Sequence, residues 1–419
     1  MAKKRGPAPS ATPSARQLSP LPTRPLSPDL AVRLERARVA ASAGRELGWK
    51  DEARMIELTG WEYGTRSREM AELLGGDDLR ALSRLAVAGG ILPEGTDLAM
   101  LAASFTAASA GAAYSPLDKS VLLLADPQNR HAGHDALLTH ELVHALQDQH
   151  FDLLGLLLVR PYNFDRTEAL FSVIEGDAMN VQRRLEQGAA WERRPLEEVA
   201  RQEDGRFDQY RRDIGALFPP LLSETFIFRY RDGVRFVEAV RRKGGARGVD
   251  ELLRRPPVST EQILHPEKYF VGEAPREVAV DEQGFASQGW TDLVASTPLG
   301  EIGARGLLLK AVSVKDAARA AAGWGGDRAY LFAGVGRGPL FVWKTAWERP
   351  EDAAEFFRAY QALRPRGGTT AAGDDSQQGQ SSWREADGSV ALVRQDGDQV
   401  IVIRGAGGDV QSALALALR

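Results

Sequence analysis

Residues 140–150 read HELVHALQDQH and hold three of the chain's six histidines. Spaced four apart, His140 and His144 leave the same face of an α-helix, separated by about 6 Å of rise. Two neutral imidazoles so placed can bind one divalent cation, with Zn2+ the first choice. Glu141 follows the first imidazole and reaches a water on that cation without being a ligand itself. Leu142, Val143, Ala145 and Leu146 carry the opposite side into the core. The pattern is H-E-x-x-H in helical context, which chance produces in well under about 1% of chains of this composition, so a metal site is the first expectation.

A catalytic zinc needs a third protein ligand and keeps one position for water. The chain has no cysteine, so thiolates and disulfides are excluded and the ligand must be His, Asp or Glu. A second helix, expected over about 165–187, offers Glu168 and Glu175, seven apart and nearly on one face. Glu175 stands in SVIEGDA behind Val173 and Ile174, which points to burial, and is the expected ligand. Glu168 falls in the first turns, where the helix dipole alone favours an acid, and is the fallback.

The remaining candidates carry less. Asp148, four after His144, is placed to hold that ring's second nitrogen or to orient a neighbour. His131 and His134 read as loop and cap residues, and His150 as a helix C-terminal residue that suits the dipole. His265, pinned between PPVST and Pro266, is either an oxyanion donor, a role Tyr269 could share, or a structural histidine. GVGRG (334–338) is expected to be a hairpin turn and not a phosphate loop, because no helix follows it. The tryptophans at 324, 343, 347 and 383 are expected in the core.

HELVHALQDQHF followed by EGDA resembles the gluzincin class of metallopeptidases, in which a glutamate from a second helix completes the zinc site. More closely, the chain resembles a family of uncharacterised metallopeptidase-like proteins of bacteria and haloarchaea, often described as surface proteins. AAYSPLDKSVLLLAD, PPVSTEQILHPEKY and GWGGDRAYLF with VWKTAW fit that family, so the likeness spans roughly 85 to 363. It implies hydrolysis of a peptide or protein substrate, with Zn2+ on His140, His144 and Glu175 and Glu141 as general base. It also implies a cell-surface or secreted location. The alternative from another class is a catalytically inactive, zinc-stabilised binding or surface protein.

These residues need elements to hold them. A formal charge of −4 gives no reason to expect nucleic acid, and no apolar run reaches the roughly 18 residues of a membrane span. Residues 1–28 carry five Lys/Arg, no acid and seven of 22 prolines, which predicts a disordered basic tail. MAKKRG has no apolar stretch behind it and is not a signal peptide, so the default location is cytoplasmic. From Asp29 the pattern turns helical through LAVRLERARVAASAGRELGWKDEARMIEL, with Ser27 or Asp29 as cap. KSVLLLAD (119–126) reads as a strand whose free edge could take an extended peptide. Helices follow at about 207–218 and 230–243, the latter ended by GGARG.

Past about 290 the runs RAYLFAG, GPLFVWKTAW, VALVRQ and DQVIVIRG alternate with two helices in a ββαββα order, and 365–382 is expected to be a mobile loop. The expected fold is α+β: a mostly helical, zincin-like core over 29–289 and a small antiparallel-sheet α+β region over 290–419.

Overall fold

Ser27 stops the chain and starts the first helix: its Oγ accepts the Leu30 N–H at 3.3 Å, and Pro28 takes the first helical position. The computed structural model describes residues 18–101, 111–125, 135–213, 215–366, 369–371 and 379–419. Helices of eight or more described residues and all strands are numbered below in chain order.

Helix α1 (Pro28–Arg45) ends where Glu46 adopts a left-handed conformation (φ 59°), so the helical pattern does not run on as the sequence suggests. MIEL instead lies in a strand, β1 (Arg54–Leu58), followed by α2 (Gly60–Ala88), which opens with a Thr59–Glu62 capping box. Strands β2 (Ala112–Ser115) and β3 (Ser120–Leu124) complete a three-stranded sheet in the order β1-β3-β2. β3 pairs with β1 in parallel and with β2 antiparallel. The strand expected to offer a free edge is therefore the central one, with both edges taken, and β2 borders the site instead.

Residues 18–27, expected to be part of a disordered leader, lie against this region. Leu21 and Leu26 pack on its apolar clusters, and Arg24 forks onto Glu62 at 2.7 and 3.0 Å.

The helical body continues with α3 (Asp135–Phe151), α4 (Phe164–Gln187), α5 (Leu196–Asp213) and α6 (Pro220–Ile227). One π-helical turn, Phe228–Asp232, leads into α7 (Gly233–Arg254), which kinks at Gly245 and runs past the GGARG expected to end it. α4 and α7 touch backbone to backbone. A Cβ on Gly176 would stand 2.3 Å from the Gly233 carbonyl oxygen, and one on Gly233 2.3 Å from that of Ser172. Only glycine permits this crossing.

The C-terminal part holds β4 (Asp292–Thr297), α8 (Gly300–Leu308), α9 (Val314–Ala321), β5 (Trp324–Gly334), β6 (Arg337–Trp347) and α10 (Pro350–Gln361). It closes with β7 (Gln380–Arg384), β8 (Val390–Asp396), β9 (Gln399–Gly405) and α11 (Gly407–Ala417). The six strands form one antiparallel sheet, β4-β5-β6-β9-β8-β7. The four expected strands are β5, β6, β8 and β9. β4 is additional, and β7 occupies the end of the segment expected to be a mobile loop. Trp324, Trp343, Trp347 and Trp383 are buried in the core, and Val335–Gly336 forms the tip of the β5–β6 hairpin.

Val280, Phe285 and Trp290 pack into the same apolar cluster as β6, β8 and α11, so residues just before 290 also cover this sheet. The two parts join at the start of α4. Phe164 N–H donates to Thr297 Oγ1 at 2.9 Å, while Asp327 accepts from the N–H groups of Leu299 and Gly300 at 2.9 and 3.0 Å. The fold is α+β, and no helix among the described residues is long and apolar enough to cross a membrane.

Candidate metal centre

α3 is wedged between the small sheet and α4. Leu138, Leu142, Val143 and Leu146 pack with Ala37 and Ala41 of α1 and with Ala178 and Val181 of α4. That packing turns His140 and His144 toward Glu175, which α4 presents from the other side. His140 Nε2 lies 3.1 Å from His144 Nε2, and Glu175 Oε2 lies 3.3 and 3.5 Å from the two nitrogens. The rings stand nearly perpendicular, at 88°. With metal–ligand lengths of about 2.0–2.1 Å, the edge of a tetrahedral zinc site measures about 3.3–3.4 Å. The three donor atoms thus already form one face of such a tetrahedron, and the residues fit the ion. The two histidines are buried, and the Glu175 side chain keeps 18% of its surface exposed.

The charges are tuned by one another. Burial alone would lower His144, yet Glu175 and Glu141 outweigh it and push that imidazole up to about 9. Burial would raise Glu175, but His144 and His140 hold its carboxyl well below the usual range.

Glu141 is held by the edge strand. The main-chain N–H of Tyr114 in β2 donates to its Oε2 at 2.7 Å. Burial raises this carboxyl, against the lowering pull of His140 and His144. Tyr230, carried by the π-helical turn, lies close to Glu175 and Glu141. Burial, with Glu175 and Glu141 nearby, keeps that phenol protonated far above its usual range. The inserted residue of a π turn re-aims the side chains of that turn, and such turns recur at functional sites.

Other expected residues are placed elsewhere. Glu168, the fallback ligand, is locked in a two-pronged ion pair with Arg229 at 2.6 and 2.7 Å. Asp148 does not hold His144. It accepts from the Tyr114 hydroxyl at 2.6 Å and Lys119 Nζ at 2.7 Å, tying α3 to the sheet. The ring's second nitrogen bonds Gln147 Oε1 at 2.8 Å instead.

His150 has the spacing of the third histidine in H-E-x-x-H-x-x-G-x-x-H sites, but Gln147 stands where that motif needs glycine. The helix runs on to Phe151, and the His150 ring faces the Gly48 carbonyl at 2.8 Å. His265 is paired with Glu301 of α8 at 2.9 Å. Its charged neighbours include Glu301, Arg305, Glu261 and Glu267, none of them at the centre. Tyr269 packs edge-on against Phe236 at 5.3 Å. The structure thus does not bring the expected oxyanion donors to His140, His144 and Glu175. His131 and His134 lie outside the described residues.

Three residues that the sequence reading passed over bear on the centre: Tyr114, Gln147 and Tyr230. Gln147 was findable, because it follows His144 by three on the same helix. Tyr230 was not, since no periodicity marks a π turn.

The model of one family, a domain of unknown function (DUF8575), matches residues 278–415. No curated protein and no solved structure matches the chain. The matched region contains the six-stranded sheet and none of His140, His144 and Glu175.

Proposed function

We propose that this chain is a zinc-dependent peptide-bond hydrolase of the gluzincin type. The observation that carries the reading is the triangle of His140 Nε2, His144 Nε2 and Glu175 Oε2, with sides of 3.1, 3.3 and 3.5 Å, beside a carboxylate that is not one of its corners. His140, His144 and Glu175 would hold Zn2+, which when bound polarises a scissile carbonyl and lowers the pKa of an attacking water toward about 7.

The chain's own groups do the rest. Glu141, oriented by the Tyr114 N–H, takes the proton of the attacking water and passes it to the departing amine nitrogen. As the C–O bond forms and the C–N bond breaks, the carboxylate returns to its starting state. Tyr230, protonated and close to Glu175 and Glu141, is the donor suited to the developing oxyanion, the role that His265 does not reach.

The test is Glu141→Gln, which keeps shape and removes the base. Chelator-sensitive cleavage of a peptide library should fall by about 10²–10⁴, while zinc content stays at the wild-type level. His140→Ala and His144→Ala should lose the zinc itself. Equal cleavage by wild type and Glu141→Gln would sink the mechanism. Full zinc occupancy without cleavage of any peptide would select the inert alternative, a zinc-stabilised binding or surface protein.

A further inference from the structure

Arg45, in the last turn of α1, keeps only 2% of its side-chain surface exposed and sits behind a metal ligand. Its Nε donates to Asp177 Oδ2 and its Nη2 to Asp250 Oδ1, both at 2.7 Å. The same Asp177 oxygen accepts from Gln147 Nε2 at 2.9 Å, and that amide nitrogen also donates to the Ile174 carbonyl at 3.0 Å. Gln147 Oε1 then accepts from His144 Nδ1 at 2.8 Å. Helices α1, α3, α4 and α7 meet in one chain of bonds that ends on an imidazole.

The direction of each bond is forced. A reversed amide would set its oxygen against two acceptors, Asp177 Oδ2 and Ile174 O, and turn its NH2 toward the ring. With the amide held as it is, His144 donates from Nδ1, and Nε2 faces His140 and Glu175. An imidazole ligates through the nitrogen that carries no proton, and the partner of its other nitrogen decides which that is. Asp177 can hold the amide only while its own oxygen is fixed. The charged bond from Arg45 fixes it, and Asp250 anchors the other prong of the guanidinium fork.

We propose that Arg45 is a positioning residue for metal retention: acting through Asp177 and Gln147, it keeps His144 in the ligating tautomer and orientation. The inference rests on the metal-site reading of His140, His144 and Glu175. It makes α1, which carries no ligand, a working part of the centre.

Chelator competition with Zn2+, together with the visible spectrum of Co2+-loaded protein, tests it on the full chain. Arg45→Met should weaken Zn2+ binding by about 10–100-fold and alter the Co2+ spectrum. In a Gln147→Ala background the same change should cost less than about twofold more, because the path is already cut. Arg45→Lys, which keeps the charge but not the fork, should fall between.

An ion pair that merely braces the fold would lower the melting temperature of metal-free protein and leave Zn2+ affinity unchanged. That result overturns the proposal, as would full additivity in the double variant. If Arg45→Met fails to fold, Asp250→Asn must still weaken Zn2+ binding, and unchanged binding there also overturns it. Equal Zn2+ binding by wild type and His144→Ala would show that the metal-site reading itself is wrong, and the inference would fall with it.

Discussion

Four ionisable side chains are buried along α4, and each is bonded to another element: Asp165 to Thr260, Glu168 to Arg229, Asp177 to Arg45 and Gln147, Arg183 to Glu203. Beneath β5 and β6 the interior is filled by Trp324, Trp343 and Trp347, the last stacked on Phe356 at 4.7 Å. The two regions share one apolar cluster but are held in different ways. Bonded charges fix individual atoms to within a few tenths of an ångström, whereas ring packing fixes volume and tolerates small rearrangement. His140, His144 and Glu175 lie in the first region, and the second gives the sheet half a stable wall.

Loss of a large ring should break the sheet half most severely. Trp347→Ala is expected to cost about 3–5 kcal/mol in urea unfolding, with Zn2+ affinity of the folded protein unchanged. A loss of affinity of the same size would show that the two interiors are not separable.

Next in size is Gly176→Ala, which adds one methyl where the Gly233 carbonyl stands 2.3 Å away. Overpacking of this kind costs about 1–3 kcal/mol. Here, unlike at Trp347, Zn2+ affinity should fall too, because Glu175 is the preceding residue.

The α4 region also carries a pH dependence. Burial pushes Asp165 up to about 8, against the usual 3.8. Between those values the folded state holds a proton that the unfolded state releases, so stability falls as pH rises through this window and the loss is complete above it. Asp165→Asn should flatten that slope in melting temperatures measured from pH 5 to 9. An unchanged slope would place the titration elsewhere.

The smallest change is expected at the hairpin tip. Val335 is 97% exposed, and Val335→Ser should alter stability by no more than about 0.5 kcal/mol and leave Zn2+ binding untouched.

What could be read from the sequence follows the range of the interactions. His140, Glu141 and His144 are fixed by the period of one helix, and Glu175 by its apolar backing on another. The link from Asp177 to Arg45 joins residues far apart in sequence, which no local pattern reports. β1 was hidden because MIEL is too short to show alternation after a helical run, and the stop at Glu46 is a single left-handed residue. β7 was hidden because three of its four buried residues, Gln380, Ser381 and Ser382, are polar and read as loop. The long strands β5, β6 and β9 and the α10 helix were plain, since each carries its own period.

The contact between Gly176 and Gly233 has a consequence for the geometry of the centre. Two backbones that touch leave no side chain between them whose rotamer could change, so α4 and the turn before α7 hold Glu175 and Tyr230 in one relation. α3, which carries both histidines and Glu141, is tied to α4 by the Gln147 side chain, whose Nε2 donates to the Ile174 carbonyl. A shift of α3 along α4 would change the spacing of the imidazoles from Glu175 and leave the relation of Glu175 to Tyr230 as it is.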